Sequence, residues 1–173
     1  MTISLYDATI PSWQQILGSI TGLLTKAQLH CLEQEVTPMS IIESRLAKDM
    51  LPFGYQVKST IVHSIGAIEG VRRGVFSPDK SAWPDSLEGL SERVASAIER
   101  LATLDPAEIN DFEGRDMRFE AASYGIDFTA ENFLLSFSLP NFYFHATTAY
   151  DILRAQGLTV GKKDFMGRLR KRV

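Results

Sequence analysis

Four separate stretches of this chain place apolar residues three or four positions apart, which restricts it to packed amphipathic helices. Trp13, Ile16, Leu17, Ile20, Leu23, Leu24, Ala27 and Cys31 form one stripe within residues 10–35. Pro11 suits the first turn of that helix, where a missing N–H costs nothing. Val57, Ile61, Ile65, Ile68 and Val75 predict a second long helix over about Gln56–Arg73, closed by Gly74. Leu87, Leu90, Val94, Ala97, Ile98, Leu101 and Leu104 predict a third. The spacing of Asp85 and Glu88 opens it like a capping box, and Asp105-Pro106 stops it. A fourth runs from Ala130, capped by Thr129, towards Gln156, with Pro140 expected to kink it and Gly157 to end it. Thr37 and Pro38 predict the start of a further short helix.

The period changes in one place. Met117, Phe119 and Ala121 alternate with Arg118 and Glu120; beyond a Tyr-Gly turn, Ile126 and Phe128 alternate with Asp127. That is a hairpin with one apolar face. The expected architecture is therefore all-α, a four-helix bundle with a short β-hairpin insert before the last helix. It should form one domain over residues 1–173, with a solvated basic tail at about 168–173.

Composition removes several functional classes. A net charge of −3 argues against a nucleic-acid partner, and the basic cluster Arg168, Arg170, Lys171 and Arg172 is confined to the tail. The single cysteine, Cys31, excludes an intramolecular disulfide and falls on an apolar stripe, as a buried structural thiol would. No signal-peptide pattern and no run of about 18 apolar residues is present, so a cytoplasmic protein without a membrane span is expected. Phosphate-cradling glycine loops and the Gly-x-Ser-x-Gly elbow are missing as well.

Chemistry therefore rests on three histidines. His63 shares its helix face with Gln56, Ser59, Thr60, Gly66, Ala67 and Gly70, most of them small. His145 has Asn141, Thr148 and Ala149 on its side. Small, polar faces of this kind either let helices approach closely or line a polar cavity. His30 lies at the edge of the first stripe. Together the three could form a three-ligand zinc site with an open fourth position, their second nitrogens held by Gln56, Asp49 or Glu69. The alternative is that each imidazole hydrogen-bonds within the helix packing. Asp49, beside Met50-Leu51-Pro52, is a further cap or site candidate, and Tyr143 and Tyr150 are candidate pocket walls.

The stretches LYDATIP (5–11), KAQLH (26–30), SRLAKDMLP (44–52), QVKSTIVHSIGA (56–67) and LPNFYFHATTAYDILRAQGLTVGKKDFMG (139–167) occur in this order. Nearly the whole chain thereby resembles a family of bacterial and fungal proteins described as a domain of unknown function, within the DinB/YfiT-like metalloenzyme superfamily. That resemblance implies a four-helix bundle, often a homodimer. In metal-binding members one histidine comes from the second helix and a His-x-x-x-His pair from the last. Carried over by position, His63 matches the first ligand and His145 the second member of the pair. Asn141 stands where the pair's first histidine would be, and His30 is the candidate to replace it.

Two functional readings follow. One is a metal-dependent transferase or hydrolase holding a divalent metal, Zn or Ni, that activates a thiol or water against a small electrophile. There Asn141 orients the substrate, and Tyr143, Tyr150, Gln56 and Asp49 are the substrate-side candidates. The other is a metal-free bundle that binds a small molecule or a protein partner.

Overall fold

The computed structural model describes residues 3–172. Helix α1 spans Leu5–Glu33 and begins earlier than its apolar stripe implies, because the Ser4 hydroxyl accepts the Asp7 N–H and caps it. Pro11 therefore lies inside the helix and not in its first turn. Helix α2 (Pro38–Ile42) starts as expected, with the Thr37 hydroxyl accepting from Ser40 N–H and Pro38 at the first position.

The second long helix is broken in two. α3 covers Phe53–Val62 and α4 covers Ile65–Arg73, with Ser64 at φ −117°, ψ −96° between them. The Ser64 hydroxyl turns back onto the carbonyls of Thr60 and Ile61, at 2.7 and 3.2 Å, and offers the backbone an alternative to continuing the helix. Gly74 ends α4 at φ 72°, a left-handed conformation that glycine adopts without a side-chain clash. Val75, expected on the helix stripe, instead opens the strand β1 (Val75–Phe76).

Helix α5 (Leu87–Ala102) is capped by Ser86, whose hydroxyl accepts the Gly89 N–H, so the cap lies one residue beyond Asp85. Asp105 caps the short α6 (Pro106–Asn110). The hairpin forms from β2 (Asp116–Glu120) and β3 (Gly125–Thr129), with Met117 opposite Phe128 and Phe119 opposite Ile126. β1 joins it in parallel, pairing Val75 with Arg118 and Phe76 with Phe119, so the sheet has the order β1-β2-β3.

The last helical run is not one bent helix. α7 (Ala130–Asn132) passes into a π-helical segment, Phe133–Ser138, and then into α8 (Leu139–Ala155). Proline at position 140 has no N–H and crowds the carbonyl four residues back. Widening the preceding turn to five-residue bonds, such as Leu139 N–H to Leu134 O, carries the chain past it. Gly157 closes α8 at φ 86°. A short α9 (Lys162–Met166) then packs on α1, and Arg170 beyond it reaches the Ser12 hydroxyl.

Buried side chains from all these elements form one contiguous core. α1 packs on α5, α5 on α3, α3 on α8 and α8 on α1, a closed circuit in which the α3–α8 pair is the most intimate. The sheet covers one end of that pair through an aromatic cluster of Phe76, Phe119, Phe128, Phe133 and Phe137. Among the described residues no helix is long and apolar enough to cross a membrane.

The connection from β1 to α5 crosses the start of α3, where Trp83 lies directly on Gly54 and donates its indole N–H to Glu43. A Cβ at Gly54 would overlap the Trp83 ring and come within 2.9 Å of Ile42 Cγ2. Alanine's helix propensity favours Gly54→Ala by about 1 kcal/mol, but overpacking costs about 1–3 kcal/mol. A net loss in urea-unfolding free energy is expected; a variant as stable as the parent would show that Trp83 does not sit there.

Candidate functional site

The irregular points of α3–α4 and of the last helix face each other. Ser138, fully buried at the end of the π segment, donates its hydroxyl proton to the His63 carbonyl at 3.0 Å. That carbonyl lies at the α3–α4 break. With its proton so committed, the Ser138 oxygen is left to accept from His63 Nδ1, at a long 3.4 Å. That contact favours the His63 tautomer with the proton on Nδ1.

His145 is fixed by a clearer network. The Gln56 amide donates from Nε2 to the Leu51 carbonyl at 2.8 Å, and a carbonyl can only accept. Gln56 Oε1 must therefore face His145 Nδ1, 2.7 Å away, and that nitrogen must carry the proton. Of the second-nitrogen partners considered from sequence, Gln56 fills that role. Asp49 lies in an exposed turn, and Glu69 pairs with Arg100.

Both imidazoles thus spend Nδ1 on the scaffold, and no protein hydrogen bond reaches either Nε2 among the described residues. The rings lie nearly parallel, at 15°, with centroids 5.7 Å apart. Burial, and then the neighbouring His145, push His63 down to about 3; burial pushes His145 down to about 4. Both rings are neutral at pH 7 and offer lone pairs.

They open onto a pocket of about 190 Å³. Phe76, Phe119 and Phe137 form its apolar wall, while Tyr55, Lys58, Ser59, Asn141 and Asp79 supply polar lining. Asn141 lines the pocket; its amide nitrogen donates to the Phe137 carbonyl at 2.7 Å, and no protein hydrogen bond reaches its Oδ1 among the described residues. Lys58 is buried, with Nζ on the backbone carbonyls of Asp79 and Ser81. Burial alone would raise the Asp79 carboxyl, but hydrogen bonds from Ser81 and the charge of Lys58 outweigh it and hold it below the usual carboxylate value.

Four sequence candidates do not join this pocket. His30 lines a separate open groove with Lys26, Glu33 and Gly157, because it sits near the far end of α1. Tyr150 packs edge-on against Phe165 of α9, and Tyr143 turns outward with its ring against Phe142. Asp49 stays in solvent between α2 and α3. Conversely, Lys58, Tyr55, Asp79 and the aromatic wall escaped sequence reasoning. One signal was available: Lys58 is the only charged residue in the run Phe53–Ile68.

A catalytic zinc takes three protein ligands and keeps one position open. Here the donors that meet are two imidazoles and one amide oxygen, a poor third ligand beside imidazole. No group of three His, Cys, Asp or Glu side chains able to hold a metal occurs among the described residues.

The solved structure of a DinB family member protein from Shewanella denitrificans superposes with a TM-score of 0.83 at 26% identity, covering 98% of this chain and 95% of that one. More narrowly, the family described as domain of unknown function DUF1993 matches residues 5–166, and the chain belongs to that family within the DinB-like superfamily. No curated protein matches the chain.

The lowered histidines have a consequence for stability. An unfolded histidine titrates near 6.5, so as the pH falls below about 6.5 the unfolded chain gains protons that the pocket refuses until about 4 and 3. This stabilisation is complete above about 6.5 and is lost on acidification, at up to about 1.4 kcal/mol per pH unit for each histidine. Urea unfolding between pH 7 and 5 should show the decline, and His145→Gln should flatten it. An unchanged slope in that variant would contradict the burial of a neutral His145.

Proposed function

We propose that this protein is a small-ligand-binding helical bundle whose pocket presents two imidazole lone pairs to a hydrogen-bond donor. The α1–α5–α3–α8 circuit serves as the bundle, and the site lies between α3 and α8 under the sheet. One observation carries the reading: Gln56 and Ser138 occupy both Nδ1 atoms, so both Nε2 acceptors remain for whatever enters the pocket.

Magnitudes weigh against proton transfer as the task of these histidines. A general acid or base works best with a pKa near the working pH. His63 at about 3 and His145 at about 4 hold a proton only in a small minority of molecules at pH 7. As acceptors they need no proton. The metal-dependent reading lacks a third donor, since His30 lies in another groove and Asn141 offers only an amide. The pocket, at about 190 Å³, is smaller than the roughly 300–1,000 Å³ of drug-sized sites. It suits a compact molecule with one polar donor and an apolar body against Phe76, Phe119 and Phe137.

Phenol has that chemistry and serves as a probe. Added to untagged protein, it should shift the ring resonances of His63 and His145 saturably, and His145→Ala should weaken it at least fivefold. Stoichiometric zinc or nickel in the purified protein, lost in His63→Ala and His145→Ala, would overturn the reading in favour of a metalloprotein. So would ring resonances that phenol leaves unmoved.

A further inference from the structure

Lys58 is the one buried lysine or arginine among the described residues, with 4% of its side chain exposed, and it lines the same pocket as the two histidines. An ammonium has three donors. Two are used on neutral acceptors, the Asp79 carbonyl at 2.9 Å and the Ser81 carbonyl. Among the described residues it forms one ion pair, with Asp79 Oδ1 at 3.4 Å, longer than the about 2.7–2.9 Å of a charge-assisted bond. That oxygen also accepts the Ser81 N–H at 2.7 Å, and the Asp79 side chain is 39% exposed. The Tyr55 ring, 5.8 Å away, adds a weak cation–π contact. This buried charge is thus held by two neutral carbonyls and one long, part-exposed ion pair, and Lys58 lines the pocket.

Resting on the ligand-binding reading of that pocket, we propose that it selects small carboxylates that also carry a hydroxyl or similar hydrogen-bond donor. The carboxylate takes the third donor direction of Lys58, and Asp79 yields to it. The donor goes to an imidazole Nε2. An anion is kept from the histidine end because two neutral nitrogen lone pairs repel it, so the two ends of the pocket orient the ligand. Phe76, Phe119 and Phe137 receive the apolar body.

The test compares each acid with its neutral isostere: lactate with lactamide and mandelate with mandelamide, titrated by NMR at pH 7 and low salt, with phenol as the control for the pocket. At least one acid should bind ten or more times tighter than its amide. Lys58→Gln should abolish that preference while phenol still binds. Asp79→Asn should strengthen acid binding, because the internal carboxylate no longer competes. If Lys58 only pinned the 79–81 backbone, both substitutions would loosen the pocket and weaken acid, amide and phenol alike. The proposal is overturned if neither acid binds, if the amides bind as well as the acids, if Lys58→Gln keeps the preference, or if Asp79→Asn weakens it. Phenol separates the two failures: where it still shifts the histidine rings, only the carboxylate proposal falls; where it does not, the pocket reading falls with it.

Discussion

The hydroxyl of Ser138 holds together two departures from helical geometry that would otherwise each leave polar backbone unpaired. α3 ends at His63, exposing a carbonyl, and the π segment brings a serine to meet it. A buried carbonyl without a partner costs about 1–3 kcal/mol, so neither irregularity is easily kept without the other. The same hydroxyl then faces His63 Nδ1, and the joint that stabilises the α3–α8 packing also sets which nitrogen of the ring meets the pocket. Gln56 does the equivalent for His145 from one turn into α3. Fold and site are thus fixed by the same few hydrogen bonds.

The resulting pocket is electrostatically uneven. At one end stand two neutral acceptors, kept neutral by burial and, for His63, by the neighbouring His145 as well; at the other stands an ammonium whose partners are mostly uncharged. In the low-dielectric space between them such differences are felt more strongly than in water. The aromatic wall contributes area without hydrogen-bonding groups, so polar recognition is confined to the two ends.

Much of this was legible in the sequence. The apolar stripes located the long helices, the period change located the hairpin, and Gln56 and Ser59 beside His63, with Asn141 beside His145, marked the α3 and α8 faces that meet, whereas Gly66, Ala67 and Gly70 fall on α4 beyond the break. Gln56 was visible as a partner for an imidazole. What escaped depends on features that periodicity cannot express. The break at Ser64 comes from a side chain bonding back to its own helix, and the π turn before Pro140 is a local answer to one missing N–H. β1 is two residues long and pairs only through a distant hairpin. His30 and Tyr150 lie on the expected helices, yet their positions along those helices carry them away from the pocket, because helical phase was readable and relative height was not. Lys58 was hidden by the general expectation that lysines face solvent.

The central claim is that the scaffold consumes Nδ1 of both histidines and delivers both Nε2 lone pairs to the pocket. The ¹⁵N chemical shifts of the two rings measure this directly at pH 7. Protonated Nδ1 and pyridine-like Nε2 in both His63 and His145 are predicted, with His145 reverting to a tautomer mixture in Gln56→Leu. A protonated Nε2 on His145 in the parent protein would contradict the account.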